Sequence, residues 1–352
     1  MIQKRNLKRL VLKAIRQPDY AVKVFLKRAK AFYYYNYGNG AAANPEAITL
    51  FLTHRCNLRC KMCGQWGESG VTKQLLGDEI KKDLELNDLK KVIDQVSSFK
   101  PNITLFGGEP LVYPGCIDLI KYIKEKNLHC LMVTNGALVE RMAEELVASG
   151  LDELNLSLDG GKELHDEIRG LPGLYGKIMN GLKQIKNVKL KIKNARPLIN
   201  LNCTITKYNY DKLEQLLAVA KEAGADSLTF HNLIFLEKET YAKQEEIDQL
   251  LSCSSESWQG FIYDPGIDPG KLFANIEKIR QAKEDFSIDF YPNLSLAEMR
   301  EYYNNKNYIP KEYNARCLSP WIVAYVFPDG NIKPCLNTTF TFGNVKKQEF
   351  SQ

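Results

Sequence analysis

Cys56, Cys60 and Cys63 fall within eight residues, a C-x3-C-x2-C spacing, directly after the apolar run 48–52. That run reads as a buried strand, so the three thiols occupy the loop at its carboxyl end. Thiolates crowded this way suit a soft metal centre. Zinc normally takes four closed ligands, often as two separated pairs. Three cysteines in one loop fit a [4Fe–4S] cluster with one iron left open, since cuboidal clusters usually take four thiolates. Three unligated thiols on a polar loop are the plainer alternative, but such a loop would be prone to oxidation.

About fifty residues later comes Gly107-Gly108-Glu109-Pro110. Paired glycines permit close backbone approach to a ligand, Glu109 supplies an acceptor, and Pro110 stiffens the turn. Alone this is a tight turn. Together with the cysteine loop it resembles the radical S-adenosylmethionine (radical SAM) superfamily, whose signature is this cysteine spacing.

The resemblance implies that Cys56, Cys60 and Cys63 hold three irons, while S-adenosylmethionine (SAM) chelates the fourth through its amino and carboxylate groups. It also implies reductive cleavage of SAM to methionine and a 5′-deoxyadenosyl radical that abstracts hydrogen from an organic substrate. The electron would come from a low-potential donor of flavodoxin or ferredoxin type. In such enzymes the cofactors carry the hard chemistry, and the protein supplies orientation, electronics and exclusion of water. The glycine-rich motif is implied to bind the SAM amino group. The family favours an aromatic residue just before the third cysteine, near the adenine. This chain has Met62, whose thioether can also lie against a ring face.

The length of 352 residues is compatible with about two domains. Nine cysteines, an odd number with three bunched, exclude a secreted disulfide framework. No run of 18 apolar residues marks a transmembrane helix, and no signal-like apolar stretch opens the chain. A cytoplasmic location is expected. The net charge of +6 is uneven: residues 1–40 hold ten Lys or Arg against Asp19 alone, so they carry +9 and the rest −3 (6 − 9).

Residues 1–45 therefore read as a basic helical leader. Leu7, Leu10, Val11 and Ala14 recur at helical spacing, Pro18 interrupts, and 21–32 suggest a second helix. The expectation is a hairpin packed on the core with a solvated charged face. Peripheral contact with a membrane, RNA or an acidic partner is the less favoured reading. Tyr33, Tyr34, Tyr35 and Tyr37 are expected to plug against the core, and 38–45 to form a linker.

From residue 48 strand and helix alternate. Strands are expected at 48–52, 102–106, 129–133, 154–158, 198–205 and 227–230. Helical stripes lie between them, with Asn87 as an N-cap and Gly224 as a terminator. Six such units predict an α/β fold with a parallel sheet and right-handed connections. The pattern alone does not separate a partial barrel from a flat doubly wound sheet. The resemblance implies a partial (β/α)6 TIM-type barrel over 46–235, open on one side, with sites at the carboxyl ends of the strands.

Other polar residues fall at those ends. Thr134 and Asn135 follow strand three, Ser157 ends strand four, Arg169 closes the segment after it, and Asn202 lies on strand five. A serine hydroxyl can donate to and accept from a ribose, and a guanidinium can fork onto a carboxylate. By resemblance Ser157 is a SAM contact and Arg169 a contact to its methionine carboxylate, with Asn202 a third polar contact. For each, a bracing role in a loop is the plainer alternative. His165 beside Asp166 reads as structural, and Cys116, Cys130 and Cys203 as buried small hydrophobes.

Residues 236–352 read as a linker followed by an extension. A helix is expected at 237–249, loop at 253–269, a helix at 271–282 and a strand at 286–290. Cys317 precedes a strand running from Trp321 to Phe327, Pro328-Asp329-Gly330-Asn331 is a hairpin signal, and Cys335 follows. This resembles the start of SPASM or twitch extensions, which hold auxiliary [4Fe–4S] clusters. Two thiolates are short of the four a cluster usually wants, and Cys253 contributes only if its loop folds inward. The extension is either incomplete here or retained as a lid without a cluster.

The resemblance implies a radical SAM enzyme acting on an organic substrate such as a peptide or cofactor precursor, and nothing in the sequence selects between a peptide, a tetrapyrrole-like precursor and a sugar or lipid. The competing class is a non-catalytic iron–sulfur electron carrier or scaffold, which would need neither the glycine-rich motif nor Ser157.

Overall fold

Seven parallel strands follow one another in chain order: β1 (Ala47–Phe51), β2 (Asn102–Phe106), β3 (Cys130–Thr134), β4 (Glu153–Ser157), β5 (Leu198–Thr204), β6 (Ser227–His231) and β7 (Ser287–Tyr291). They are seen in a computed structural model that describes residues 18–68, 70–75, 77–304 and 317–350. Three further strands, β8 (Val323–Val326), β9 (Asn331–Lys333) and β10 (Gly343–Asn344), complete one sheet in the order β10-β9-β8-β1-β2-β3-β4-β5-β6-β7.

Each step from β1 to β7 advances one place in the same direction. Right-handed connections then put all the intervening helices on one face. This is barrel winding, without the reversal of a doubly wound sheet, and it resolves what periodicity left open. The order does not close, because β7 and β10 are its edges.

The burial of alternate residues agrees. Ile48, Leu50, Ile103, Leu105, Met132, Leu154, Leu156, Leu201, Leu228 and Phe230 are fully buried. They meet α2 (Leu86–Val96), α3 (Cys116–Glu125), α4 (Val139–Ala148), α6 (Leu174–Lys191) and α7 (Gln215–Ala223) in one core, with α5 (Lys162–Arg169) between β4 and α6. On β4 to β6 the residues between them face the inner trough and are polar and half-buried: Asn155 registers with Asn200 and Asn200 with Ser227, and Ser157 with Asn202 and Asn202 with Thr229. Asn200 donates to Asn155 Oδ1 (2.8 Å) and Glu153 Oε2 (2.9 Å), and Ser227 donates to Asn200 (2.7 Å). A trough satisfied this way tolerates water.

Several local expectations shift. Helix α2 starts at Leu86 with Glu85 at the cap, so Asn87 is inside its first turn; Leu86 packs on the core and draws the start forward. Gly224 terminates α7 in the left-handed conformation (φ +61°), as its position suggested. The strand after Asp285 is β7, a seventh parallel strand beside β6. Trp321 lies in a single helical turn, Ser319–Ile322, ahead of β8.

The expected hairpin at Pro328-Asp329-Gly330-Asn331 forms between β8 and β9, with the Asn331 N–H donating to Asp329 (2.9 Å). It is not a detached lid: β8 pairs in parallel with β1, so the sheet continues into the extension.

The helix expected around Leu7 to Ala14 lies outside the described residues. The second helix is α1 (Pro18–Tyr37). Tyr35 meets Trp321 edge-on at 4.9 Å, but Tyr33 and Tyr37 face outward, so the aromatic plug is only partial. After α7 come α8 (Lys238–Leu251), α9 (Pro269–Gln281) and α10 (Leu296–Asn304). Among the described residues no helix is long and apolar enough to cross a membrane.

Candidate functional site

The cysteine loop is held against the end of β2 by backbone contacts that only glycine allows. Gly108 N–H donates to Thr53 O (2.8 Å) and Glu109 N–H to Arg55 O (2.9 Å). A Cβ on Gly107 would stand 2.7 Å from Thr53 O, and one on Gly108 2.4 Å from Arg55 O. On the far side the loop is pinned by Trp66, whose indole donates to His54 O (2.8 Å) and carries the Arg59 guanidinium 4.1 Å from its ring centroid. Arg55 pairs with Asp83.

Each of the three sulfurs accepts hydrogen bonds. Leu58 N–H (3.5 Å) and Asn135 Nδ2 (3.7 Å) donate to Cys56, Arg169 Nη1 (3.8 Å) to Cys60, and Trp66 N–H (3.3 Å) to Cys63. Burial pushes the Cys56 thiol up to about 11, with Glu109, Cys60 and Cys63 adding to the rise. Burial also raises Cys60, opposed by Arg169. A buried thiol so raised keeps its proton until a metal takes its place. Donors aimed at all three sulfurs are what metal-bound thiolates need.

Among the described residues no three His, Cys, Asp or Glu side chains gather closely enough for a single metal ion. Three thiolates on one zinc would stand about 3.8 Å apart, given tetrahedral bonds of about 2.3 Å. A cuboidal cluster, in which each thiolate takes a different iron, asks for wider spacing. Three thiolates held in this way would leave one iron of such a cluster without a protein ligand.

Glu109 is buried beside this loop. Its Oε1 accepts from Thr134 Oγ1 (2.7 Å) and Leu111 N–H (3.1 Å), and its Oε2 from Asn135 N–H (2.8 Å). Burial raises its pKa against these donors. Thr134 and Asn135 thus brace Glu109, and Asn135 also reaches Asn57 Oδ1 (2.8 Å). Pro110 follows, buried, and opens the turn Pro110–Val112. Met62 is half-buried and, with Lys61, Cys63, Thr206, Tyr208 and Tyr263, lines a cavity of about 120 Å³ beside the loop.

Ser157 and Asn202 are neighbours across β4 and β5 on the trough face. Arg169 is buried, and its geometry centres on the protein itself: Nε donates to Asp159 Oδ2 (2.6 Å) and Nη1 to Cys60. Burial disfavours its charge, but Asp159 and Cys60 more than compensate and raise its pKa.

Sequence reasoning missed Asp159, which is fully buried and also accepts from Thr204 N–H (2.9 Å). The signal was present, since a carboxylate directly after an apolar strand needs a cation and the next helix ends in Arg169. His165 is structural, as expected. Its Nδ1 accepts from Asp159 N–H (3.2 Å), and burial pulls its pKa down to about 4. Cys116, Cys130 and Cys203 are buried in the core.

In the C-terminal part, Cys335 and Cys253 line one cavity of about 250 Å³ with Asp248, Ser255, Trp258 and Thr338. The Cys253 thiol donates to Asp248 (3.6 Å), and Ser254 N–H donates to Thr339 Oγ1 (2.6 Å), which sets its loop against the segment after Cys335. Cys317 is exposed. It and Cys335 both lie near the Tyr325 hydroxyl, whose pKa is raised by burial and by these thiols.

A family model described as the Radical SAM superfamily matches residues 50–202, from β1 to β5. Residues 50–202 are a radical SAM domain. The radical SAM family binds a [4Fe–4S] cluster and SAM. Within and around this domain the chain is 31% identical over 184 residues to an AdoMet-dependent heme synthase of Methanosarcina barkeri, covering 51% of this chain and 48% of that protein. It is 26% identical over 326 residues to a pre-heme d1 synthase of Dinoroseobacter shibae, covering 89% and 74%. The match spans about half the length of that heme synthase, and likewise of an Fe-coproporphyrin III synthase from the same organism. Streptococcus suis SuiB, solved with its precursor peptide SuiA, shares the fold with a TM-score of 0.62 at 17% identity, covering 94% of this chain and 69% of that one.

Proposed function

We propose that this chain reductively cleaves SAM at a [4Fe–4S] cluster held by Cys56, Cys60 and Cys63. When bound, these cofactors supply a 5′-deoxyadenosyl radical that takes hydrogen from an organic substrate, a cofactor precursor or a peptide. The observation that carries the reading is the cysteine loop itself: three sulfurs, each receiving N–H donors, beside a buried and braced carboxylate. The names of the heme and pre-heme d1 synthases support the cofactor-precursor class.

A carboxylate offers about four acceptor sites, and three on Glu109 are taken by Leu111, Thr134 and Asn135. The remaining one, on Oε2, is assigned to the SAM amino group. Gly107, Gly108 and Pro110 shape the backbone that lets this carboxylate stand against the cysteine loop. Arg169 supplies positive charge beside Cys60 for the SAM carboxylate, with Asp159 holding it in place. Ser157 and Asn202 offer polar contacts from the trough, and Met62 an apolar surface for the adenine. The cavity beside Met62 and Cys63 receives the substrate.

The proposal includes a SPASM- or twitch-like auxiliary cluster at Cys317 and Cys335. It is supported by the shared cavity that adds Cys253 to Cys335. A low-potential flavodoxin- or ferredoxin-type donor completes the reaction. A cytoplasmic setting is supported by nine cysteines that are all free thiols.

The test is anaerobic reconstitution with iron and sulfide, then dithionite and SAM. Release of 5′-deoxyadenosine, lost in Cys60→Ala, is the expected result. A cluster-replete sample that transfers electrons but makes no 5′-deoxyadenosine would overturn the reading in favour of a non-catalytic iron–sulfur protein. Iron counting separates one cluster (about four irons) from two (about eight).

A further inference from the structure

Helix α1 packs on the body with one side only. Val24, Ala31, Tyr34 and Tyr35 turn inward, and the helix is fastened by Arg28 on Glu46 (3.2 Å), Lys27 on Phe99 O (3.4 Å) and Tyr35 on Trp321. The opposite side carries Val22, Phe25, Leu26, Phe32, Tyr33 and Tyr37, all 55–73% exposed. At 100° per residue these six and Ala29 fall within one arc about 140° wide, broken between Val22 and Tyr37 only by Asn36. Lys30 and Arg28 project on its two flanks. Apolar side chains gathered on one exposed face, over about four turns, mark an interaction surface, whereas scattered ones do not.

We infer that α1 lies on an anionic lipid surface with this stripe immersed and its basic flanks at the headgroups. Charge decides the occupant. Helix α1 itself carries Lys23, Lys27, Arg28 and Lys30 against Asp19 alone, and the sequence ahead of it is also basic. Two copies meeting through this face would therefore repel, while an anionic bilayer attracts both the stripe and the charge. Tyr33 and Tyr37, at one end, are of the type that settles at the interface. The helix lies on the bilayer and does not span it, since its charges are spread along its length.

The orientation follows from the fastenings. Glu46 and Phe99 stand just before β1 and β2, at the amino ends of the strands, whereas the cysteine loop leaves their carboxyl ends. The docked protein turns its cluster mouth away from the lipid, towards substrate and electron donor.

The experiment is flotation of the full chain with vesicles of equimolar phosphatidylglycerol and phosphatidylcholine, and with phosphatidylcholine alone. The wild type is expected to float with the first and about tenfold less with the second. The double variant Phe25→Ser/Leu26→Ser should lose at least about tenfold of its binding to anionic vesicles, with an unchanged melting curve showing that it folds. Three results would overturn the inference: no preference for anionic vesicles, full binding by the double variant, or substitutions that dissolve a dimer in sedimentation and leave flotation untouched.

Discussion

Replacing Gly108 with Ala tests whether the cysteine loop and the end of β2 are one unit. The new Cβ would sit 2.4 Å from Arg55 O and 2.6 Å from His54 O, both backbone atoms with no side-chain rotation to escape into. Ordinary contact begins at 3.4 Å, so the Arg55 carbonyl must retreat by about 1 Å (3.4 − 2.4). Overpacking of this kind costs about 1–3 kcal/mol. The same retreat strains Gly108 N–H on Thr53 O and Glu109 N–H on Arg55 O, each worth about 1 kcal/mol. The sum is a loss of about 3–5 kcal/mol, read as a lower urea midpoint at unchanged slope. Because Cys56 follows Arg55 directly, iron and labile sulfide per chain should fall with it after anaerobic reconstitution. Gly176→Ala, in α6 with nothing within 4 Å of the added Cβ, is the control and should gain up to about 1 kcal/mol. A Gly108→Ala protein within about 0.5 kcal/mol of wild type and fully loaded with iron would refute the reasoning.

Asp159→Asn should destabilise by about 3–5 kcal/mol in chemical unfolding, because it leaves the Arg169 guanidinium buried without its counter-charge. The pair replacement Asp159→Leu/Arg169→Met should recover most of that loss, and failure to do so would mean the two residues are not coupled. His165 has a folded pKa near 4 against about 6.5 unfolded. It therefore favours the folded state above pH 6.5, and that stability drains away as pH falls towards 4. Between pH 7 and 5 this amounts to about 2 kcal/mol. His165→Gln should show a pH dependence of unfolding flatter by that amount; an equal slope would show that the ring charges in the folded state. Thr134→Val removes a donor from the buried Glu109 and should lower stability by about 1.5–3 kcal/mol in thermal melts. An unchanged melting temperature would show that Glu109 does not depend on that brace.

The strands were legible because this sheet buries one face completely. Ile103 with Leu105, and Leu154 with Leu156, announce it two residues apart, so β2 was placed to the residue and β4 to within one. The winding was not legible. Barrel and doubly wound sheets need the same buried faces, and only pairing order distinguishes them. The cysteine loop and the glycine pair showed themselves through spacing, since their chemistry is carried by near neighbours in the chain. Asp159 with Arg169, and Cys253 with Cys335, were harder for the opposite reason: each partnership joins residues that no periodicity links. The outward face of α1 was misjudged because a basic helix suggests solvent, and its stripe of Phe25, Leu26 and Tyr33 becomes visible only once the inward side is known.

The pairing of β8 with β1 has a consequence for how the molecule is made. Ala47 must wait for Val323, 276 positions downstream (323 − 47), before its second edge is covered. At ordinary translation speeds of about 5–20 residues per second, the first strand emerges roughly 15–55 s before its last neighbour. During that interval a flat apolar edge stands open, a template for stray strand addition. Nascent chains halted before residue 323 should therefore aggregate or recruit chaperones, whereas those released after the β8–β9 turn should not.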